Sequence, residues 1–178
     1  MNENQKANGN VLLEEQQEDT QEGRFLTFSL GNEEYGIEIR HVTEIIGIQN
    51  ITDLPGMPDF VKGVINLRGK VIPVIDVRLR FGMANRAYDE RTCIVVVDIN
   101  KITIGLIVDS VSEVINIPAE NIEPAPMIKK SESSRFIKGL GKAGETIIIL
   151  LEIERLIYRE EAERLEEMAN SQESARED

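Results

Sequence analysis

The chain has no tryptophan, one cysteine, one histidine and only eight aromatic residues in 178 positions. A lone cysteine, Cys93 in the run CIVVVD, excludes an intrachain disulfide framework and reads as a buried small hydrophobe. With His41 as the lone histidine, no Cys/His metal cluster can be assembled. The opening MNENQKANGN lacks the charged-then-apolar layout of a signal peptide, and no apolar run is long enough to cross a bilayer as a helix. A cytoplasmic protein with no direct membrane insertion is expected. Positive charge is also scarce. The net charge is −12, and residues 1–23 hold six acids against one base while residues 158–178 hold eight against three. The body from 24 to 157 is close to neutral and has no basic stripe, which argues against nucleic acid as a partner. Residues 1–23 and 171–178 read as solvated, disordered acidic tails.

What the chain does have is Ile, Val and Leu, whose β-branched members favour strands. It also repeats itself. GIEIRHVTEIIGI (36–48) lies over GLIVDSVSEVINI (105–117) without a gap, five of 13 positions being identical. FVKGVINLRGKVIPVIDV (60–77) lies over FIKGLGKAGETIIILLEI (136–153), with four identities and seven conservative exchanges in 18. Between these blocks the first copy has 11 residues and the second 18. Each copy opens on a strand pair, RFLTFSL with EEYGIEI around Gly31-Asn32 and TCIVVVD with KITIGLIV around Ile99-Asn100. VTEII and VSEVI fit short helices or further strands equally well. Pro73 inside an apolar run implies an edge strand or a bulge, since it cannot donate to a ladder. The copies, about residues 25–81 and 92–157, suggest two small β-barrels packed through an apolar seam, because neither is large enough for comfortable stability alone. Ile153, Leu156, Ile157, Leu165 and Met168 fall near helical spacing, predicting an amphipathic helix over 153–170.

Motifs that resemble chemistry fail on their context. GLGKAG (139–144) satisfies the G-x-G-x-x-G pattern, but the strand-like ETIIILLEI follows it where a dinucleotide site needs a helix. Read as a P-loop over 139–146, the stretch has Glu145 where a lysine belongs, and a carboxylate there repels phosphate. Both matches are hairpin turns, so no cofactor is expected. His41 faces Ser110 in the other copy, and no nucleophile has a base beside it. No enzyme is expected.

A duplicated chain supplies its own control. Gly36/Gly105, Lys62/Lys138, Gly63/Gly139 and Asp76/Glu152 are shared and read first as architecture, and the shared acid Glu44/Glu113 reads the same way. Asn66-Leu67-Arg68-Gly69 faces Lys142-Ala143-Gly144-Glu145, and nothing architectural demands the arginine.

GNEEYGIEIRHVTEIIG, FVKGVINLRGKVIPVIDVRLRFG, IGLIVDSVSEVI and FIKGLG together resemble the coupling proteins of bacterial chemotaxis, the CheW family, across about residues 24–157. The resemblance implies a mainly β fold of two SH3-like five-stranded barrels related by duplication. It implies a non-catalytic adaptor between chemoreceptor (methyl-accepting chemotaxis protein) cytoplasmic tips and the regulatory domain of the histidine kinase CheA, recruited to receptor arrays. Contacts between CheW-like subdomains in array rings belong to the same picture. The family's turn maps onto Asn66, Leu67, Arg68 and Gly69, and its receptor-side residues onto Val42, Glu44, Gly63, Arg68, Val111 and Val114. An adaptor of a pilus-motility array and a nucleotide-binding enzyme using 139–146 are the alternatives.

Overall fold

The computed structural model describes residues 21–125 and 135–157, together with Glu167 and Asn170. The hairpin β1 (Arg24–Leu30) and β2 (Glu33–Glu38) leads through a 3-10 turn, Ile39–His41, into β3 (Val42–Gly47). Next come β4 (Val61–Leu67), β5 (Lys70–Asp76) and a single-turn helix α1 (Val77–Arg80). The second copy follows with β6 (Cys93–Ile99), β7 (Ile102–Val108), β8 (Ser110–Asn116), the short β9 (Ile122–Glu123), β10 (Ile137–Ala143) and β11 (Thr146–Leu151). VTEII and VSEVI are therefore strands. The β6–β7 turn is Asn100-Lys101, one residue later than the pattern marks, and both residues take positive φ, at 50° and 70°. GLGKAG runs along β10 into its hairpin turn, and β11 follows it.

Each sheet draws on both copies. One has the order β8-β1-β2-β11-β10-β9, the other β3-β6-β7-β5-β4. The opening hairpin of each copy has joined the remaining strands of the other, so the copies do not each close a separate barrel. Connection length explains the exchange. A third strand laid antiparallel on β1 runs parallel to β2, and a parallel connection takes about a dozen residues or more. The chain provides three between β2 and β3, and Asp109 alone between β7 and β8. Strands β3 and β8 therefore carry straight on into the opposite sheet, pairing with β6 and β1. The two orders superpose strand for strand. The one addition is β9, matched in the first copy by the isolated bridge Thr52↔Val64.

Pro73 departs from expectation, because β5 is interior, between β7 and β4. Its parallel pairing with β7 starts only at Val74, whereas in the second copy Ile148 and Ile149 are already paired. Pro73 thus sits where β5 needs a partner on one side alone. Cys93 is half-buried and not fully enclosed, its thiol donating to the Arg91 carbonyl at 3.3 Å.

The largest core cluster lies between the sheets, joining Leu26, Phe28 and Ile37 of one to Val95, Val97 and Leu106 of the other. Rings of Phe28, Tyr35, Phe81 and Phe136 stack in sequence across it, with centroids 5.8, 5.7 and 5.4 Å apart. The equivalent residues Phe60 and Phe136 flank the Arg80 guanidinium, at 4.3 and 5.0 Å. After β11 the chain makes a 3-10 turn, Ile153–Arg155, and buries Ile153, Leu156 and Ile157. The rest of the expected helix over 153–170, apart from Glu167 and Asn170, lies outside the described residues, as do 1–20 and 171–178 of the acidic tails. Among the described residues no helix is long and apolar enough to cross a membrane.

A carboxylate locks the seam. Asp109 accepts from Arg78 Nε (2.6 Å) and Nη2 (2.7 Å), from the Gly31 amide (2.8 Å) and from Arg86 Nη1 (3.0 Å). This ties the β1–β2 turn to α1 and the inter-copy loop. Nearby, buried Asp76 caps α1 at the Leu79 amide and accepts from the Tyr88 hydroxyl at 2.7 Å. Burial alone would raise the Asp109 pKa, but its hydrogen bonds from Arg78 and Gly31, with the charges of Arg78 and Arg86, hold it below the ordinary carboxylate value. A folded-state pKa lowered in this way contributes stability above the unfolded value, near 4, and loses it as pH falls through the folded value. Asp109→Asn should cost about 2 kcal/mol at neutral pH by leaving Arg78 uncompensated. Urea melts across pH 2 to 7 should show that deficit shrinking towards the acid end. A deficit independent of pH would show that the charge is not what holds the seam.

Candidate functional site

The β4–β5 turn consists of Arg68 and Gly69, with φ of 52° and 87°, the two-residue hairpin pattern in which both central residues are left-handed. The Gly69 amide donates to Asn66 Oδ1 at 2.7 Å, which locks the turn locally. An arginine in that conformation is uncommon, and the second copy places Gly144 at the same point, with φ of 63°. The first copy therefore carries a side chain where the backbone favours none.

That side chain reaches Glu44. Arg68 Nη1 donates to Glu44 Oε2 at 3.1 Å and Nη2 to Oε1 at 2.5 Å, a two-pronged pair. Strands β3 and β4 are opposite edges of the five-stranded sheet, so this contact closes the barrel at one end. The Arg68 side chain stays 74% exposed while Glu44 is 26% exposed, so the guanidinium covers the carboxylate and presents its outer edge to solvent. Hydrogen bonding to Glu44, with that residue's charge, pushes the Arg68 pKa above its ordinary value. A register shift at Thr43, whose hydroxyl donates to the Val96 carbonyl at 3.1 Å, sets the local bend of β3.

The other expected site residues divide by position. Asn66 is exposed beside the turn, and Leu67 packs on the cluster of Ile65, Ile72 and Val74. Val42 is half-buried against the main core. Gly63 is buried in β4, where a Cβ would lie 2.0 Å from the Thr52 carbonyl oxygen. Val111 and Val114 lie on β8, the edge of the other sheet, Val111 half-buried and Val114 40% exposed. The structure thus joins Glu44 to Arg68, gathers Asn66 and Leu67 around them, and keeps the two valines on a separate sheet edge. Sequence reasoning missed Ile45, 43% exposed on β3. It is the counterpart of Val114 in the repeat, so aligning VTEII with VSEVI was the signal. The shared acid also splits: Glu44 closes the barrel, whereas Glu113 is exposed and its carboxylate holds nothing among the described residues.

A family model described as the CheW-like domain matches residues 24–161. The chain belongs to the CheW family. It is a chemotaxis coupling protein of two β-subdomains. It is 43% identical to the chemotaxis protein CheW of Klebsiella aerogenes over 147 residues, covering 83% of this chain and 89% of that one. The crystal structure of the scaffolding protein TtCheW from Thermoanaerobacter tengcongensis superposes with a TM-score of 0.71 at 39% identity, covering 76% of this chain and 92% of that one. Protein FrzA of Myxococcus xanthus is 29% identical over 106 residues, 60% of this chain and 66% of that protein.

Proposed function

We propose that this CheW-family chain acts without catalysis in the cytoplasm, bridging chemoreceptor cytoplasmic tips and the regulatory domain of the histidine kinase CheA at membrane-associated arrays. The observation that carries the reading is Arg68, held in a left-handed turn and fixed on Glu44 with its outer edge free. A folding role alone does not account for it, since the equivalent turn in the second copy closes on glycine. Val42, Glu44, Gly63, Asn66, Leu67, Val111 and Val114 complete the proposed interface, with Gly63 contributing through the backbone it positions.

Reconstitution tests this directly. The purified chain should bind a receptor cytoplasmic fragment and the kinase regulatory domain separately, and the three should co-elute. Adding the chain to receptor and kinase should raise kinase autophosphorylation at least severalfold. A chain that binds neither partner and leaves the kinase unchanged would refute the proposal. A second reading places the same adaptor in another chemosensory pathway, such as a pilus-motility array, and the match to FrzA is what favours it. Genomic neighbourhood separates the two.

A further inference from the structure

The repeat builds two seams, each at a joint where the chain crosses from one sheet to the other. At the β7–β8 joint Asp109 grips Arg78, and both side chains are nearly enclosed, 12% and 13% exposed. The alignment of the copies places Arg40 where Asp109 stands, and Glu154, the residue after the aligned block, where Arg78 stands. The second seam therefore carries the same pair with its charges exchanged. Here the pair is unmade. Arg40 donates from Nε to Glu38 Oε2 at 2.7 Å and stays 61% exposed. Glu154 is exposed, and its carboxylate meets no cation and accepts no hydrogen bond among the described residues. Both side chains line one cavity of about 40 Å³, which lies open between them.

Glu38 is what keeps Arg40 away from Glu154. Lys138 Nζ occupies Glu38 Oε1 at 2.6 Å, and His41 Nε2 stops 3.4 Å from the same Oε2 that Arg40 holds. Three basic side chains thus converge on one carboxylate, and two of them contest one oxygen. Burial alone would raise the Glu38 pKa, but hydrogen bonds from Lys138 and Arg40, with their charges, hold it below the ordinary value, so Glu38 stays ionised in mild acid. Histidine is the side chain whose charge ordinarily changes between pH 5 and 8, and His41 is the only one in the chain. The other charges around it are already placed. Glu152, on the same cavity, accepts from Arg155 Nε at 3.1 Å. Strands β1 and β6, which pack on this turn, bring Arg24 and Asp98, the latter accepting from the Thr103 hydroxyl at 2.9 Å. Of the carboxylates on the cavity, Glu154 alone lacks a cation among the described residues.

We propose that the second seam is a pH-sensitive latch, in which a proton on His41 displaces Arg40 from Glu38 to Glu154 and closes this seam as Asp109 and Arg78 close the first. Protonation sets a third positive charge on Glu38, where Oε2 has room for one close donor. His41, 19% exposed, is held against that oxygen by its turn, whereas Arg40 is free to swing. Exposed ion pairs are weak, so moving Arg40 from one carboxylate to another costs little, and the added charge decides between them. The closed form binds the proton more tightly, because a cation has left Glu38 and its oxygen is open to the imidazolium. Closure therefore gains population as pH falls and loses it as pH rises, when Oε2 returns to Arg40. The turn Ile39–His41 leads directly into Val42 and Glu44, so the latch acts at the root of β3. It requires no partner and stands apart from the coupling reading.

A lone histidine makes the test direct, since its imidazole gives a single titration curve in the NMR spectrum of the full chain. Between about pH 5.5 and 7.5 the Arg40 Nε and Cζ resonances should move along that curve. Glu154→Gln keeps the size of the side chain and removes the charge that receives Arg40. In that variant His41 should still titrate, while at least half of the Arg40 movement is lost. In His41→Gln the Arg40 resonances should stay in place across the whole range. Arg40 resonances that ignore the His41 titration in the parent chain would refute the latch. So would movement that persists in full in Glu154→Gln, which is the signature of an imidazolium field acting on an arginine that never leaves Glu38.

Discussion

Gly63→Ala is expected to lower the melting temperature by about 10 °C, measured by circular dichroism, while Gly47→Ala leaves it within about 2 °C. At position 63 the backbone φ is 142°, and a Cβ would stand 2.0 Å from the carbonyl oxygen of Thr52 and 2.7 Å from its carbonyl carbon. That carbonyl is not free to retreat. It accepts from the Val64 amide at 2.9 Å, and the Thr52 amide donates back to Val64 at 2.8 Å. Relieving the clash breaks this bridge or forces β4 away from it, and backbone strain and overpacking together cost about 3 kcal/mol or more. Gly47 sits on the same sheet with nothing within 4 Å of its added Cβ, so it controls for loss of glycine alone. An unchanged melting temperature for Gly63→Ala would show that the 52–64 bridge is dispensable.

Arg68→Gly should do the opposite: keep the fold and lose the partner. The substitution installs the residue that the second copy uses at this turn and removes a left-handed side chain. The exposed ion pair contributes little to folding, so the melting temperature should stay within about 2 °C of the parent. Binding to the receptor fragment or the kinase domain should weaken by roughly thirtyfold to a hundredfold, the scale for truncating one member of a desolvated charge pair. Glu44→Arg combined with Arg68→Glu separates two roles of the guanidinium. If Arg68 acts only by covering Glu44, the charge-swapped chain recovers binding. If its outer edge touches the partner, the swapped chain stays as weak as Arg68→Gly. Parental affinity and full kinase stimulation from Arg68→Gly would reduce the arginine to turn decoration.

Much of this arrangement is legible in the residues. The repeat announces two β-units of common design, and β-branched runs bounded by Asn and Gly mark the hairpins. The exchange of hairpins was hidden because alternation of apolar residues reports which face is buried, not which neighbour covers it. It follows only when strand direction is combined with the length of Ile39–His41 and of the one-residue joint at Asp109. Pro73 misled because a missing amide restricts one side of a strand, and an interior strand can begin pairing on that side one residue later. At the site, the difference between Arg68 and Gly144 was visible in the alignment of the copies, but Glu44 was named only through family resemblance, and its contact with Arg68 is read from the structure. No spacing rule joins residues 44 and 68 across opposite edges of a sheet. Glu113 was assigned to the fold because it is shared, yet identity between copies preserves a backbone position without preserving the job of its side chain.

The crossed hairpins also bear on how the chain can be made. As it leaves the ribosome, the first copy emerges with β1–β2 and β3–β5 unable to complete either sheet, since β6, β7 and β8 have not yet been synthesised. Strand β1 must wait for residues about ninety positions downstream, and such distant pairings are the slow step of folding. The amino-terminal half therefore spends its synthesis with open strand edges, which no native contact covers until the second copy emerges. Neither lobe can be inherited, lost or shuffled as a separate module, because each is finished only by the other's first hairpin.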